Sequence, residues 1–122
     1  LQGAGFEHTG TKLRDLPNLR ARLADMHVHT ERSRALLGTT LRHMGEGTEL
    51  APLYVLSARQ SALDVAVDVT DLGMKACGGA AFSRHLGIER LFRDARAGWV
   101  MAPTVDHSRD FIGRALTGME LF

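Results

Sequence analysis

Residues 78–104 read GGAAFSRHLGIERLFRDARAGWVMAPT. The stretch opens on paired glycines, runs into a segment striped with charge, and closes on a proline followed by a threonine. Between Gly87 and Gly98, Ile88, Leu91, Phe92 and Ala95 recur at helical spacing, with Trp99 continuing the apolar side, so the spacing predicts an amphipathic helix. Its polar side carries Glu89–Arg93 and Arg90–Asp94 at i,i+4, pairs worth only ~0.2–0.5 kcal/mol each. Gly78 and Gly79 break whatever helix precedes them, because glycine ends a helix at little steric cost. Thr104 is placed to cap one more helix, from about Val105 to Thr117, with Phe111, Ile112, Ala115 and Leu116 facing inward.

The same period continues upstream. Residues 1–17 are rich in Gly and Thr and end at Pro17, which predicts a loop lead-in. Asn18 is placed to cap a first long helix. In it Leu19, Leu23, Met26, Leu37, Leu41 and Met44 recur at three- and four-residue steps, with Thr30 and Ser33 in the polar gaps of the same face. The Gly-Glu-Gly of residues 45–47 stops it. A second long helix starts at Thr48 or Glu49, with Pro52 in its first turn, where a missing N–H does no harm. One face carries Leu53, Leu56, Leu63, Val67 and Met74. The opposite face carries Val55, Ala62, Ala66, Val69 and Ala76. A helix apolar nearly all round is a buried one, and its small residues admit a close neighbour. Two long helices joined by a short glycine turn form an antiparallel hairpin. There is no strand-like alternation, internal repeat or low-complexity tract. The reading is all-α: an antiparallel, up-and-down helical bundle over 18–122, one helical domain across 1–122.

Composition agrees with a soluble globular unit: 122 residues, 44% hydrophobic, 24% charged, net charge +1. That balance gives no electrostatic footprint for nucleic acid or anionic membrane. No apolar run approaches the ~20 residues that span a bilayer, and LQGAGFEHTG has neither the basic nor the apolar part of a signal peptide. A single cysteine, Cys77, excludes an internal disulfide and reads as a buried, inert thiol among small residues, in keeping with a reduced, cytoplasmic setting.

Few residues invite chemistry on their own. His27 and His29 point to different faces of a helix, so they do not share an ion, and His27 with Glu31 supplies too few ligands. The glycine pair lacks the G-x-G-x-x-G spacing and follows no strand. ERLFRDAR reads as a solvated or interface-facing charged stripe. Asp106 and His107 suit the first turn of the last helix, where an acid meets the positive dipole end. No Ser/His/Asp or Cys/His arrangement stands at recognisable spacing.

Taken together, residues 78–114 resemble the C-terminal part of the acyl-CoA dehydrogenase family of flavoproteins. The family string is a Gly-Gly break, an aromatic and polar turn, an E-R-x-x-R-D-A-R helix, a connector ending in Glu-Gly-Thr and a last helix. Gly78, Gly79, Phe82, Glu89, Arg90, Arg93, Asp94, Ala95, Arg96, Thr104 and the Ile112-Gly113-Arg114 end match it without a gap through Thr104. The two long helices match in pattern only. The resemblance implies a four-helix bundle whose first helix lies upstream of Leu1, together with a helical and a β-domain, so the sequence is read as a piece of a longer flavoprotein.

It further implies an FAD enzyme that removes hydrogen across the α,β bond of an acyl-CoA or acyl-carrier thioester. The expected assembly is a dimer or homotetramer in which the bundle of one subunit closes over its neighbour's FAD. Electron-transfer flavoprotein is the electron acceptor the resemblance brings with it. Gly78 and Gly79 match the backbone that approaches the pyrophosphate. Bare main chain can come close and point N–H groups at phosphate. Lys75 stands where the family has glutamine and offers a point charge. Thr104, with Asp106 in the turn after it, matches the helix start near the flavin. The family's catalytic glutamate in the connector aligns with Ala102, and a methyl group cannot take a proton. A base on another helix, a flavin-dependent monooxygenase or hydroxylase, and a non-catalytic paralogue serving assembly are the three readings this leaves.

Overall fold

The computed structural model of the chain describes residues 12–120. A short 3-10 turn, Leu13–Asp15, leads into α1 (Pro17–Glu46) and α2 (Ala51–Cys77). A second 3-10 turn, Gly78–Phe82, is followed by α3 (Ile88–Val100) and α4 (Val105–Thr117). The described residues form no strand, and the all-α bundle expected from the period is what they build. Most of the lead-in segment, 1–11, lies outside the described residues.

The long helices form the expected antiparallel hairpin, α1 with 30 residues and α2 with 27. Cross-links run in opposite order along the two: Thr40 meets Tyr54, His29 meets Asp68, and Arg22 meets Lys75. Gly47 makes the turn between them at φ 63°, a left-handed angle that side chains resist, and its N–H bonds back to α1. Beyond it the His43 and Tyr54 rings stack with centroids 4.0 Å apart. His43 Nδ1 and Thr48 Oγ1 share a hydrogen bond of 2.8 Å.

Two helix starts differ from the sequence reading. α1 begins at Pro17, whose missing N–H suits the first turn, with Leu16 as the flanking residue in place of Asn18. α2 begins at Ala51, because Thr48 closes the turn by accepting the Ala51 N–H. α4 runs as expected, and the Thr104 side chain accepts from the His107 amide.

α2 is the hub, with α1, α3 and α4 all packed against it. Gly73 sits between Met26 of α1 and Ile88 of α3: atoms of both stand 3.9 and 4.0 Å from where its Cβ would be. Gly98 brings α3 so near that a Cβ there would collide with Leu63. The buried apolar residues are mostly small: Leu19, Ala58, Val67, Ala76, Ala81 and Val105.

The expected burial fails on one side. Leu37, Leu41, Met44 and Val55 are exposed, and with Ala58, Ala62, Ala66 and Val69 they line an open groove between α1 and α2 with a cavity volume of about 630 Å³. Leu116 and Trp99, expected inward, are also exposed, and Cys77 is half-buried. α2 is apolar on more faces than its three neighbours cover, so the face left over stays open. Apolar patches of this kind mark interaction surfaces.

Two outcomes follow. Thr40 Oγ1 is buried and shares one proton between Leu36 O at 2.9 Å and Tyr54 O at 3.1 Å. Thr40→Val keeps the shape and removes that link, so urea unfolding should show a loss of about 0.5–1.5 kcal/mol; unchanged stability would contradict the link. The 122-residue chain alone should self-associate through the groove, and Leu41→Glu should shift it toward monomer in sedimentation. A clean wild-type monomer at high concentration rejects this.

Candidate functional site

The residues singled out by sequence fall at two poles. Lys75, Gly78 and Gly79 sit where α2 ends; Ala102, Thr104 and Asp106 sit where α4 begins. The second pole lies beside Arg59, in the first half of α2, since Arg59 Nη2 donates to Pro103 O at 2.6 Å. About 24 Å of helix separates Arg59 from Lys75 at 1.5 Å per residue. The structure therefore does not gather them into one pocket.

At the glycine pole the chain turns sharply. Gly78 has φ 57° and ψ −145°, a conformation that requires glycine, and its N–H caps α2 by donating to Met74 O. Gly79 carries no such requirement: its φ is not in the left-handed range, and a Cβ there would stand in open space. Nothing among the described residues explains a bare residue at Gly79. Both glycines are exposed, and Phe82 beside them is 75% exposed.

Lys75 does not stand free beside them. Its Nζ lies 2.6 Å from Asp71 Oδ2, and its carbonyl accepts from Arg22 Nη1 at 2.6 Å. Arg22 thereby ties α1 to one of the terminal carbonyls of α2, the negative end of the helix dipole. Asp71 also faces Arg96 of α3 at 3.8 Å. Arg96 donates to Phe92 O at 2.7 Å, and its guanidinium carbon lies 3.4 Å from the centre of the Phe92 ring. The last arginine of the RDAR run thus joins α3 to α2. The expected i,i+4 pairs on α3 are replaced by an adjacent contact, Arg93 Nε to Asp94 Oδ1 at 3.7 Å.

The Lys75 hydrogen bond is the main cause that holds the Asp71 carboxyl below its ordinary value of 3.8; desolvation opposes it, and the charges of Lys75 and Arg96 add to the lowering.

At the other pole Thr104 caps α4, its Oγ1 3.4 Å from the His107 amide and 3.0 Å from His107 Nδ1. The first amides of α4 precede any intrahelical partner, as at every helix start. Asp106 is exposed in that first turn. Ala102 is exposed too, and no acid takes its place in the connector. The Ala102–Pro103 peptide is cis. Arg109 of α4 reaches Asp64 of α2 at 3.4 Å, and Gln60 Nε2 donates to the same carboxylate at 3.0 Å.

No group of three or more His, Cys, Asp or Glu able to hold a metal occurs among the described residues. His29 Nδ1 lies 3.8 Å from Asp68 Oδ2, and His27 is exposed. No helix among the described residues is long and apolar enough to cross a membrane. Sequence reading missed Arg59 and Arg22. Arg59 is the one arginine of the long, mainly apolar α2, and that was the available signal for the first. For Arg22, on a polar face, there was none.

The fold and this end-to-end layout define an all-α helical-bundle domain, and comparison with known proteins fixes its family. The model of the acyl-CoA dehydrogenase C-terminal domain matches residues 6–117, so the chain belongs to the acyl-CoA dehydrogenase family. It is similar to cyclohex-1-ene-1-carbonyl-CoA dehydrogenase of Geobacter metallireducens, 31% identical over 88% of this chain and 28% of the relative. It is also similar to 3-sulfinopropanoyl-CoA desulfinase of Paraburkholderia xenovorans, 26% identical over 94% of this chain and 29% of the relative. The chain thus spans under a third of the length of these curated relatives. No solved structure gives a significant match.

Removing the Asp71 charge tests the interhelix cluster. Its depressed pKa adds stability above the ordinary aspartate range, which is lost as pH falls through the lower folded value. Asp71→Asn should therefore be less stable than wild type near neutral pH. The gap in urea midpoint should close below about pH 4. A gap independent of pH contradicts this.

Proposed function

We propose that this domain works within an FAD-dependent acyl-CoA dehydrogenase-like oxidoreductase, where it contributes cofactor contacts and subunit contacts. Family membership supports the general activity, and the observation that carries the cofactor role is Gly79. Its missing side chain serves neither the backbone angle nor any neighbour among the described residues. Space kept clear on an exposed turn fits a ligand that approaches the main chain, and the N–H groups of such a turn suit phosphate.

The residues at the two poles fit the cofactor unequally. Gly78 and Gly79 would meet its pyrophosphate. The capped start of α4 offers oriented N–H groups and a positive dipole end to the flavin side. Lys75 brings a cation to the first pole, but Asp71 balances it, so it contributes less than a free charge. Asp106 already occupies the positive end of α4, so it serves the helix more than an anion. When bound, FAD supplies hydride acceptance in the α,β-dehydrogenation of an acyl thioester. The proton must go to a base outside this connector, because Ala102 cannot hold it.

The open groove supports the rest of the reading. It asks for another helix, in keeping with a bundle whose first helix precedes this segment, and with relatives more than three times as long. Dimer or tetramer contacts, a cytoplasmic setting and electron-transfer flavoprotein as acceptor belong to the same proposal. A second reading is favoured by Ala102: a flavin-dependent monooxygenase or hydroxylase of this fold, or a non-catalytic subunit serving assembly, needs no acid there.

The protein carrying this domain should purify yellow, with a flavin absorption band. Gly79→Ala should weaken FAD binding at least about ten-fold while leaving the melting temperature in place. A colourless, flavin-free oligomer supports the assembly role instead. Rapid oxygen consumption by the reduced enzyme, with incorporation into product, supports the oxygenase.

A further inference from the structure

The connector between α3 and α4 is held by one side chain from a distant helix. Met101 and Ala102 are exposed, and the Met101 N–H bonds back to Ala97 O of α3. Among the described residues, the one hydrogen bond from 102–103 to another element is Arg59 Nη2 to Pro103 O, at 2.6 Å. The contact is short, charge-assisted and part-buried, the strong kind of neutral-carbonyl bond. Yet Arg59 is a poor choice for stability alone. Its other terminal nitrogen, Nη1, is buried without a partner among the described residues. A buried donor left unsatisfied costs free energy that an apolar side chain on this apolar helix would not incur. Arginine is kept where its rigid fork fixes a direction.

We infer that Arg59 is a positioning residue for the cofactor pole. By fixing the Pro103 carbonyl on α2, it sets where Thr104 and the first amides of α4 point. This rests on the reading that this pole faces the flavin; the mechanical part does not. Arg59 also lines the groove between α1 and α2, so one side chain touches both the open face and the connector.

The test uses the flavin-loaded holoenzyme carrying Arg59→Met or Arg59→Lys. Met keeps the apolar stem and removes the donors, while Lys restores a charged donor. Three quantities are read: FAD dissociation with the flavin absorption spectrum, amide exchange at residues 104–107, and the melting temperature. Arg59→Met should raise exchange at 104–107, release FAD at least about ten-fold more readily and shift the flavin spectrum, with the melting temperature little changed. Arg59→Lys should recover most of each. Wild-type exchange and FAD affinity in Arg59→Met overturn the inference. So does a fall in melting temperature with no change in exchange or flavin, which marks a merely structural residue. If Arg59→Met does not fold, Arg59→Gln replaces it under the same outcomes. A wild-type protein without flavin overturns the functional reading instead, and exchange at 104–107 then decides the mechanical part alone.

Discussion

α2 has more apolar faces than any one neighbour can cover, and the rest of the bundle is arranged by that fact. Burial of apolar area is the dominant favourable term in folding, so a helix carrying Leu53, Leu56, Leu63 and Val67 on one side and Val55, Ala62, Ala66 and Val69 on the other gathers partners and still leaves the second set lining an open groove. α1 closes one flank, and α3 and α4 close another. Small residues set how near they come: Gly73 lies between Met26 and Ile88, and Gly98 abuts Leu63. Arginines then fix register across these contacts. Arg22 binds the end of α2 from α1, Arg96 pairs with it from α3, and Arg109 does so from α4. Each exposed ion pair adds little alone. Their effect is to choose one alignment among several that apolar packing would tolerate.

The helices were legible because their period is strong and their breaks are chemically marked. Gly47 and Gly78 take angles that other residues resist, and Thr104 supplies a hydroxyl where α4 needs an acceptor. The start of α1 falls earlier than the Asn18 cap implies and that of α2 later than Thr48 or Glu49, because Asn18 and Thr48 are good caps in isolation. Pro17 instead suits a first helical turn, and Thr48 was already engaged in the hairpin turn. What period could not give was which apolar face stays open. Leu37, Leu41 and Met44 have the spacing of core residues, and only the placement of α3 and α4 on the far side of α2 shows that nothing among the described residues covers them. The pairing on α3 was misread for a similar reason. Arg96 answers to Asp71 across the bundle, and no rule within one helix reveals that.

The site was legible in part. The glycine pair and the Thr104 cap were visible as chemistry, and Ala102 was visible as a missing acid. Their separation was not, since it depends on α3 running back along α2 and returning the chain to the level of Arg59. Nor was the engagement of Lys75 with Asp71, although the i,i+4 spacing could have raised it.

The connector shows why shape and reaction come apart in this domain. Ala102 is exposed, and its methyl group gives the connector no polar contact. The path of the chain is set instead by Arg59 on Pro103 and by the Thr104 cap. A catalytic group at that position could therefore be lost, or supplied from another helix, without moving α4. Two relatives named for different reactions, a dehydrogenase and a desulfinase, match the same stretch. Function in such a scaffold is decided by side chains placed on it, while the scaffold answers to the burial of α2.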